Sequence, residues 1–358
     1  MAKRLTSTTI ILFQNAVSLI NAAKSQVYKQ TNSIMVFTYF YLGKMIVESE
    51  QQGKLKADYG SETINLLSKK LTRKFGNGYS KRNLELMRLF YLSYRDKTID
   101  KSIAQTVSAQ FENKNIPIAN PFKIFVKRMP LSWSIYALLL RIKNIEERSF
   151  YEIESKQGNW SVRELERQID SGLYERFVLS KDKKRIKELS KKGQIIHKPE
   201  DLVKSHYILD FLGIKEKSDY NESDLETAII NRIEQFLLEM GKGFLFQGRQ
   251  VRLSIESDNF YVDLVLYNRI LKCFVLVESK IGKLRHQDIG QMQMYVNYYD
   301  RFVKQKGERA TIGIIICKNK NNSMVEITLP KTNRTIFAKE YKLYLPSKAS
   351  LIKLIGAG

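Results

Sequence analysis

Cysteine is almost missing from this chain, with two in 358 residues. Cys273 and Cys317 both fall in apolar stretches and read as small buried hydrophobes. That excludes a disulfide framework and a cysteine-based zinc spacing. The three histidines, His197, His206 and His286, are dispersed and form no cluster. No segment approaches the roughly 20 apolar residues of a membrane span. The apolar run Thr9 to Phe13 is too short for a secretory signal and ends in Gln14-Asn15. A soluble, cytoplasmic protein with no membrane partner is expected. Internal repeats and low-complexity tracts are also lacking. Acidic residues are scarce relative to basic ones, at 37 against 60, for a net charge of +23. Residues 1–200 hold 36 basic and 19 acidic side chains, net +17, whereas residues 201–358 hold 24 and 18, net +6. A field of that size and asymmetry attracts polyanions, of which nucleic acid is the commonest. The length allows two domains with sizeable cores.

The most informative stretch runs from Asp263 to Lys280. Residues 260–268 (FYVDLVLYN) and 273–280 (CFVLVESK) are rich in Val, Leu, Phe and Tyr and read as strands. With residues 269–272 as the connecting loop, Asn268 pairs with Cys273, and counting outward places Asp263 opposite Glu278. Opposed Cβ atoms lie about 4.5–5.5 Å apart, where two carboxylates repel unless a proton or cation sits between them. A hard divalent cation with oxygen ligands suits the pair. Lys280, two residues beyond Glu278, points to the same face. Two metal-binding carboxylates with a lysine that polarises water make a phosphodiester hydrolysis site. The bland alternative is an exposed ion-pair edge. Against it, Phe274–Val277 is apolar on both faces, as in a central strand, and charge at the end of a buried strand requires partners.

Residues 224–240 (DLETAIINRIEQFLLEM) read as an amphipathic helix stopped by Gly241 and Gly243. Glu226 in its first turn is either the acid of a capping box opened by Ser223 or a third acid near the metal, and the two roles are compatible. Residues 247–255 read as a strand. Residues 285–303 read as a helix on which Gln287, Gln291 and Tyr295 share a face. They are either ordinary polar surface or groups that orient water, metal or phosphate. The apolar run 310–317 (ATIGIIIC) reads as a core strand.

The N-terminal half is helical. Residues 10–52 read as two helices, the second over Ser33–Glu50 with Phe37, Phe40, Tyr41 and Ile46 as its stripe. Tyr59-Gly60-Ser61 reads as a turn with Ser61 as N-cap of a helix over 62–75, and Ser80 caps the next helix. Helix, Gly-containing turn, helix is the helix-turn-helix pattern. Lys69, Lys70, Arg73, Lys74, Lys81 and Arg82 suit phosphate contact, and Lys81, Arg82 and Asn83 open the second helix where base edges are read. The alternative is a helical hairpin with a solvated basic face. Residues 96–122 look like a looser polar segment. Helical patterns resume at 132–142, 146–157 and 162–177. Trp133 and Trp160 read as core residues. Residues 181–200 carry eight basic side chains and read as a charged linker, or as a basic helix frayed into one.

The order from Glu226 to strand 310–317 resembles the PD-(D/E)xK nuclease core. The chain more closely resembles the bacterial YhcG family of PD-(D/E)xK nuclease domain-containing proteins, through FLLEMGKGFLFQGRQVRL, FYVDLVLYNRILKCFVLVESKIGKLRHQDIGQMQMYVNYYD and YGSETINLLSKKLTRKFGNGYSKRNLELMRLFY. The resemblance implies that Asp263 and Glu278 are metal ligands with Glu226 as the helix acid. It makes Lys280 the catalytic lysine and gives Gln291 and Tyr295 accessory roles. Ser279 stands where an aliphatic residue is expected and is read as facing away from the metal side. The expected architecture is a two-domain α+β protein. A helical, helix-turn-helix-like DNA-binding domain (1–180) leads through a basic linker (181–200) to an α/β restriction-endonuclease-like domain with a mixed sheet (201–350). The implied activity is Mg²⁺- or Mn²⁺-dependent DNA cleavage, in repair, mobile-element control or restriction-like defence. The alternative is a nucleic-acid-binding scaffold subunit that cuts little. RNA as substrate, a homodimer and association with other DNA-processing subunits stay open.

If residues 68–88 touch phosphates, replacing Lys69, Lys70, Arg73 and Lys74 together flattens the plot of log affinity against log salt by roughly 0.9 per lost duplex contact. Titration of duplex DNA at several ionic strengths measures that slope, and an unchanged slope excludes the surface.

Overall fold

The structure is a computed structural model that describes residues 7–52, 57–98, 119–178, 183–215 and 219–346. The chain divides into two compact units, residues 1–148 with 159–162, and residues 149–158 with 163–358.

The first unit is helical. One continuous helix, α1 (Ser7–Gln52), replaces the two expected over 10–52. The polar stretch after Lys24 interrupts the apolar pattern but contains neither Gly nor Pro, so nothing breaks the backbone ladder. Helix α2 (Ala57–Phe75) starts ahead of the expected turn, so Tyr59-Gly60-Ser61 lies within it. A 3-10 turn (Asn77–Tyr79) leads into α3 (Lys81–Thr98), capped as expected by Ser80, whose Oγ accepts from Asn83 N at 3.3 Å. Phe40, Tyr41 and Ile46 of α1 are buried, as are Leu84, Met87, Phe90, Tyr91 and Tyr94 of α3. The two helices touch at Gly43. A Cβ there would lie 2.0 Å from the Met87 carbonyl oxygen, so only glycine permits this approach. Helix α4 (Ala119–Arg128) follows, and Trp133, at the start of α5 (Trp133–Leu139), packs on Tyr39 and Phe90 with ring centroids 4.9 and 5.5 Å apart. Most of the polar segment 96–122 lies outside the described residues.

The second unit is built on a six-stranded mixed sheet in the order β1-β6-β5-β4-β3-β2. The strands are β1 (His206–Ile208), β2 (Phe244–Ile255), β3 (Asp258–Asn268), β4 (Cys273–Lys283), β5 (Ile312–Asn319) and β6 (Ile336–Lys342). The β2–β3 and β3–β4 pairs are antiparallel, and the others are parallel. One face is covered by α10 (Glu222–Asn231) and α11 (Ile233–Met240), which bury Leu225, Ile229, Phe236 and Met240. The expected single helix over 224–240 breaks at Arg232, where φ is −126° and ψ is 33°. The other face is covered by α12 (His286–Tyr298), followed by a π turn over Tyr299–Val303. Cys273 and Cys317 are buried and unlinked, as expected.

The turn between β3 and β4 is held by Asn268, which is fully buried. Its Oδ1 accepts from Ile270 N (3.1 Å) and Leu271 N (3.0 Å), and its Nδ2 donates to the Lys242 carbonyl (3.0 Å). Asn268 pairs with Cys273, so the register is the one counted from the sequence.

This unit also takes in α7 (Val162–Asp170, all but its first residue) and α8 (Leu173–Val178), where one helix over 162–177 was expected; Gly172 at φ 60° divides them. Residues 183–192 of the expected linker form α9 (Lys183–Lys192). The physical reason for the assignment is Glu239, which is wholly buried. Its carboxylate pairs with Arg176, with Arg167 (3.4 Å) and with Lys204 (3.7 Å), and accepts from Ile208 N (2.9 Å). Burial alone would raise this carboxyl, but the three cations outweigh it and hold the pKa down to about 2. Farther out, Lys242 Nζ meets Glu154 at 2.6 Å, which ties residues 149–158 to the start of β2.

Replacing Glu239 by Ala strands Arg176 and Lys204 without their anion and costs on the order of 3–5 kcal/mol in urea unfolding. Combining Glu239→Leu with Arg176→Met recovers part of that loss.

Candidate active site

The β3–β4 ladder ends at Leu264↔Val277, and the next position holds Asp263 opposite Glu278. There each strand's backbone bonds to the other's carboxylate. Asp263 N donates to Glu278 Oε1 at 3.0 Å, and Ser279 N donates to Asp263 Oδ2 at 2.9 Å. The strands part where the acids meet, and the side chains take over the unmade ladder bonds. Ser279 Oγ also reaches Asp263 Oδ2, at 3.2 Å. This corrects the expectation that Ser279 faces away, since serine supplies a second donor that an aliphatic residue lacks.

The remaining carboxylate oxygens meet different partners. Asp263 Oδ1 accepts from Gln250 Nε2 at 3.2 Å, and the same amide donates to Glu226 Oε2 at 2.7 Å. The pairs Arg249↔Leu264 and Val251↔Val262 put Gln250 opposite Asp263. Its φ of 46° is left-handed, an uncommon conformation for a residue with a side chain. Glu226 does not close the helix cap. The cap is Asn221, paired reciprocally with Asp224 two residues ahead of the expected box, which leaves Glu226 to face Gln250. Lys280 Nζ lies 3.1 Å from Glu222 Oε2 and 4.0 Å from Glu278 Oε2. Neither Gln250 nor Glu222 emerges from the sequence reading.

Behind the acids, Gln291 Nε2 donates to Tyr295 OH, and Tyr295 OH donates to the Tyr261 carbonyl at 3.0 Å. Gln291 and Tyr295 therefore form a linked pair beside β3, whereas Gln287 on the same helix face is exposed.

Glu278 is 4% exposed, and burial, followed by the charge of Asp263, pushes its pKa up to about 8. Burial raises Asp263 as well, against the hydrogen bonds from Ser279. It also raises Glu226, against the hydrogen bond from Gln250. For Lys280 burial acts downward, but the hydrogen bond and charge of Glu222 prevail and raise it. The centre has more buried carboxylate than its single ammonium neutralises. Among the described residues no three Asp, Glu, His or Cys side chains gather into a metal cage. The donor set still fits a hard cation. It is all oxygen, and the raised carboxyls mark a deficit of positive charge that a divalent ion would fill.

Of the residues expected to touch nucleic acid, Lys69, Lys70, Arg73, Lys74, Lys81 and Arg82 are exposed. Asn83 is engaged internally. Its Oδ1 accepts from Trp133 Nε1 at 3.2 Å, and its Nδ2 donates to the Gly78 carbonyl. The amide thus fastens the turn between α2 and α3.

The raised Glu278 has a definite sign. In the absence of divalent cations, its protonated form stabilises the fold fully below its ordinary value of 4.5, and that contribution is lost as pH rises through about 8. Urea titrations in EDTA should show stability falling between pH 5 and pH 8 by up to ~1.4 kcal/mol per unit, and Glu278→Gln should flatten the fall. A wild-type profile as flat as the variant's would refute the shift.

Residues 200–354 match the YhcG PDDEXK nuclease domain model, and residues 15–176 match the DUF1016 N-terminal domain model. A protein of Escherichia coli (strain K12) named "Putative nuclease YhcG" is 37% identical over 94% of this chain and 90% of its own length. Two solved structures also match. A repair endonuclease from Pyrococcus abyssi shows 19% identity and a TM-score of 0.24, over 36% of this chain and 50% of that one. EndoMS in apo form shows 16% identity and a TM-score of 0.23, over 37% and 49%. Likenesses that distant carry no weight for the site. With the curated relative spanning nearly the whole of both chains, and the nuclease-domain model spanning Glu226, Asp263, Glu278 and Lys280, the chain belongs to the YhcG family.

Proposed function

We propose that the chain is a metal-dependent DNA endonuclease that hydrolyses phosphodiester bonds at Asp263, Glu278 and Lys280. The observation that carries the reading is the register-opposed, buried pair Asp263 and Glu278 beside Lys280. Asp263 and Glu278 would hold Mg²⁺ or Mn²⁺, with Glu226 the third acid through Gln250. Such an ion, when bound, lowers the pKa of a coordinated water and offsets charge on the phosphate. The chain's own groups do the rest. Lys280 orients the attacking water and neutralises charge developing on the phosphate oxygens. Glu222 keeps that ammonium charged and in place. Ser279 and Gln250 fix the Asp263 carboxylate, and the Gln291–Tyr295 pair, anchored on the Tyr261 carbonyl, braces β3 behind it.

The excess of positive charge in residues 1–200 supports affinity through phosphates, and the exposed Lys69, Lys70, Arg73, Lys74, Lys81 and Arg82 are the contacts we assign. The role we favour is repair, mobile-element control or restriction-like defence. The scaffold reading draws on one observation, the lack of a ready three-ligand cage among the described residues.

One experiment separates the two. Plasmid, branched and single-stranded DNA, with RNA alongside, are incubated with wild type and Asp263→Ala in Mg²⁺ or Mn²⁺. Cleavage by wild type that falls at least a hundredfold in Asp263→Ala supports the enzyme. Binding without cleavage by either protein leaves the scaffold, and cutting confined to RNA transfers the chemistry to another substrate.

A further inference from the structure

A second cluster of charge lies two strands away from the acids. A cavity of about 490 Å³ runs beside β6 and is lined by Lys320, Lys331 and Lys339, by one acid, Glu326, and by Asn333 and Phe337. The space exists because β1 pairs only with residues 340–342. Among the described residues, Ile336–Lys339 have no strand on that side. Helix α13 (Asn322–Thr328) and the loop after it form the rest of the wall.

The three lysines differ from that of the catalytic centre in having no carboxylate partner. Lys280 has Glu222 and Glu278. No ion pair involves Lys320, Lys331 or Lys339 among the described residues: Glu340, the nearest acid in sequence to Lys339, gives Oε2 to Lys342 and His206, and its Oε1 accepts from Lys320 N at 2.9 Å, not from a lysine ammonium of the cluster. Lys339 is half-buried, and burial, then the charge of Lys320, lowers its pKa to about 8. Lys331 is exposed, but Lys320 and Lys339 are partly buried, and partly buried like charges beside one cavity are a cost to the fold that an anion removes. The register sets the distance from the cavity to the catalytic centre, with Lys339 on the sheet face opposite to that of Cys317. Lys280 lies beside Cys317 of β5, and Cys317 beside Glu340 of β6, the residue after Lys339. Two strand spacings amount to about 10 Å. Lys320 continues from the same end of β5 at which Glu278 and Lys280 stand on β4.

We infer that Lys320, Lys331 and Lys339 form a phosphate-binding subsite beside the catalytic strands, which takes a nucleotide phosphate of the bound nucleic acid. The subsite rests on the nuclease reading for its substrate, but not for its existence as an anion site. Phe337 offers an apolar wall beside the charged groups, as a nucleotide requires.

The test is binding in EDTA, where no cleavage occurs, using full-length protein. The probes are a short dye-labelled single-stranded DNA and, separately, deoxyadenosine monophosphate. Lys320→Gln combined with Lys339→Gln should weaken binding of the strand and reduce its log affinity against log salt slope by about 0.7, one single-strand phosphate contact. Weakened binding of the mononucleotide as well identifies a pocket open to free phosphate esters, whereas an effect on the strand alone identifies an internal phosphodiester. Unchanged affinity and slope for both probes overturns the inference. Lys339→Met, which removes the charge but fills the space, should raise the unfolding temperature while it weakens binding. A lower temperature would show the ammonium already paired and would overturn the argument. Because no metal is present, a protein that never cuts can still pass, and one that cuts normally with an unchanged slope loses only the subsite.

Discussion

The candidate centre depends on a turn. Asn268, buried and bonded to two backbone amides and a carbonyl, holds four residues between β3 and β4 and thereby sets their pairing. Side chains alternate along a strand, so pairing fixes which residues meet and on which face. From that constraint follow the opposition of Asp263 and Glu278, the parting of the strands where they meet, and the position of Lys280. The same arithmetic holds at the next strand. A two-residue connection, Ile255 to Asp258, sets Gln250 against Asp263. Two short turns thus bring together the members of the site that lie on β2, β3 and β4.

Two buried glutamates show what partners do to the same chemistry. Glu239 has three cations around it and is held near 2, and Glu278 has a neighbouring acid and one distant ammonium and is pushed to about 8. The first is a closed electrostatic unit, satisfied within the fold. The second is left short of positive charge, buried where the β3–β4 pairing stops. Burial is common to both, so it is the count of partners that separates the raised Glu278 from the lowered Glu239.

Much of this is legible in the sequence. Asn268 opposite Cys273, the buried strand through Val277, and the shared face of Gln291 and Tyr295 all follow from periodicity. The rest is hidden for identifiable reasons. Gln250 lies on a recognisable strand, but its partner emerges only when the register is counted across the Glu256-Ser257 turn. Glu222 escapes notice because Ser223 looks like the helix cap, whereas Asn221 serves and the helix starts earlier. Strand alternation misreads Ser279, because it does not announce that Asp263 sets a carboxylate oxygen on Ser279 N and Oγ where the β3–β4 pairing stops. The polar stretch within α1 resembles a break, although polarity without Gly or Pro does not end a helix. Asn83 looks like a base reader from its place in the chain, and nothing in sequence announces that Trp133, fifty residues on, will occupy its oxygen.

The buried meeting of Arg167, Arg176 and Lys204 on Glu239 also bears on how such a protein can be taken apart. The two family models part between residues 176 and 200 and so invite a cut there. A fragment begun at 200 would keep Glu239 and Lys204 but lose both guanidinium groups. The severed piece would carry a half-dismantled ionic centre beside the edge strand β1. The heritable, transplantable piece of this architecture is therefore larger than the catalytic module that sequence similarity delineates. Residues 163–176, matched by the amino-terminal family model, are by physics part of the unit that holds the nuclease domain.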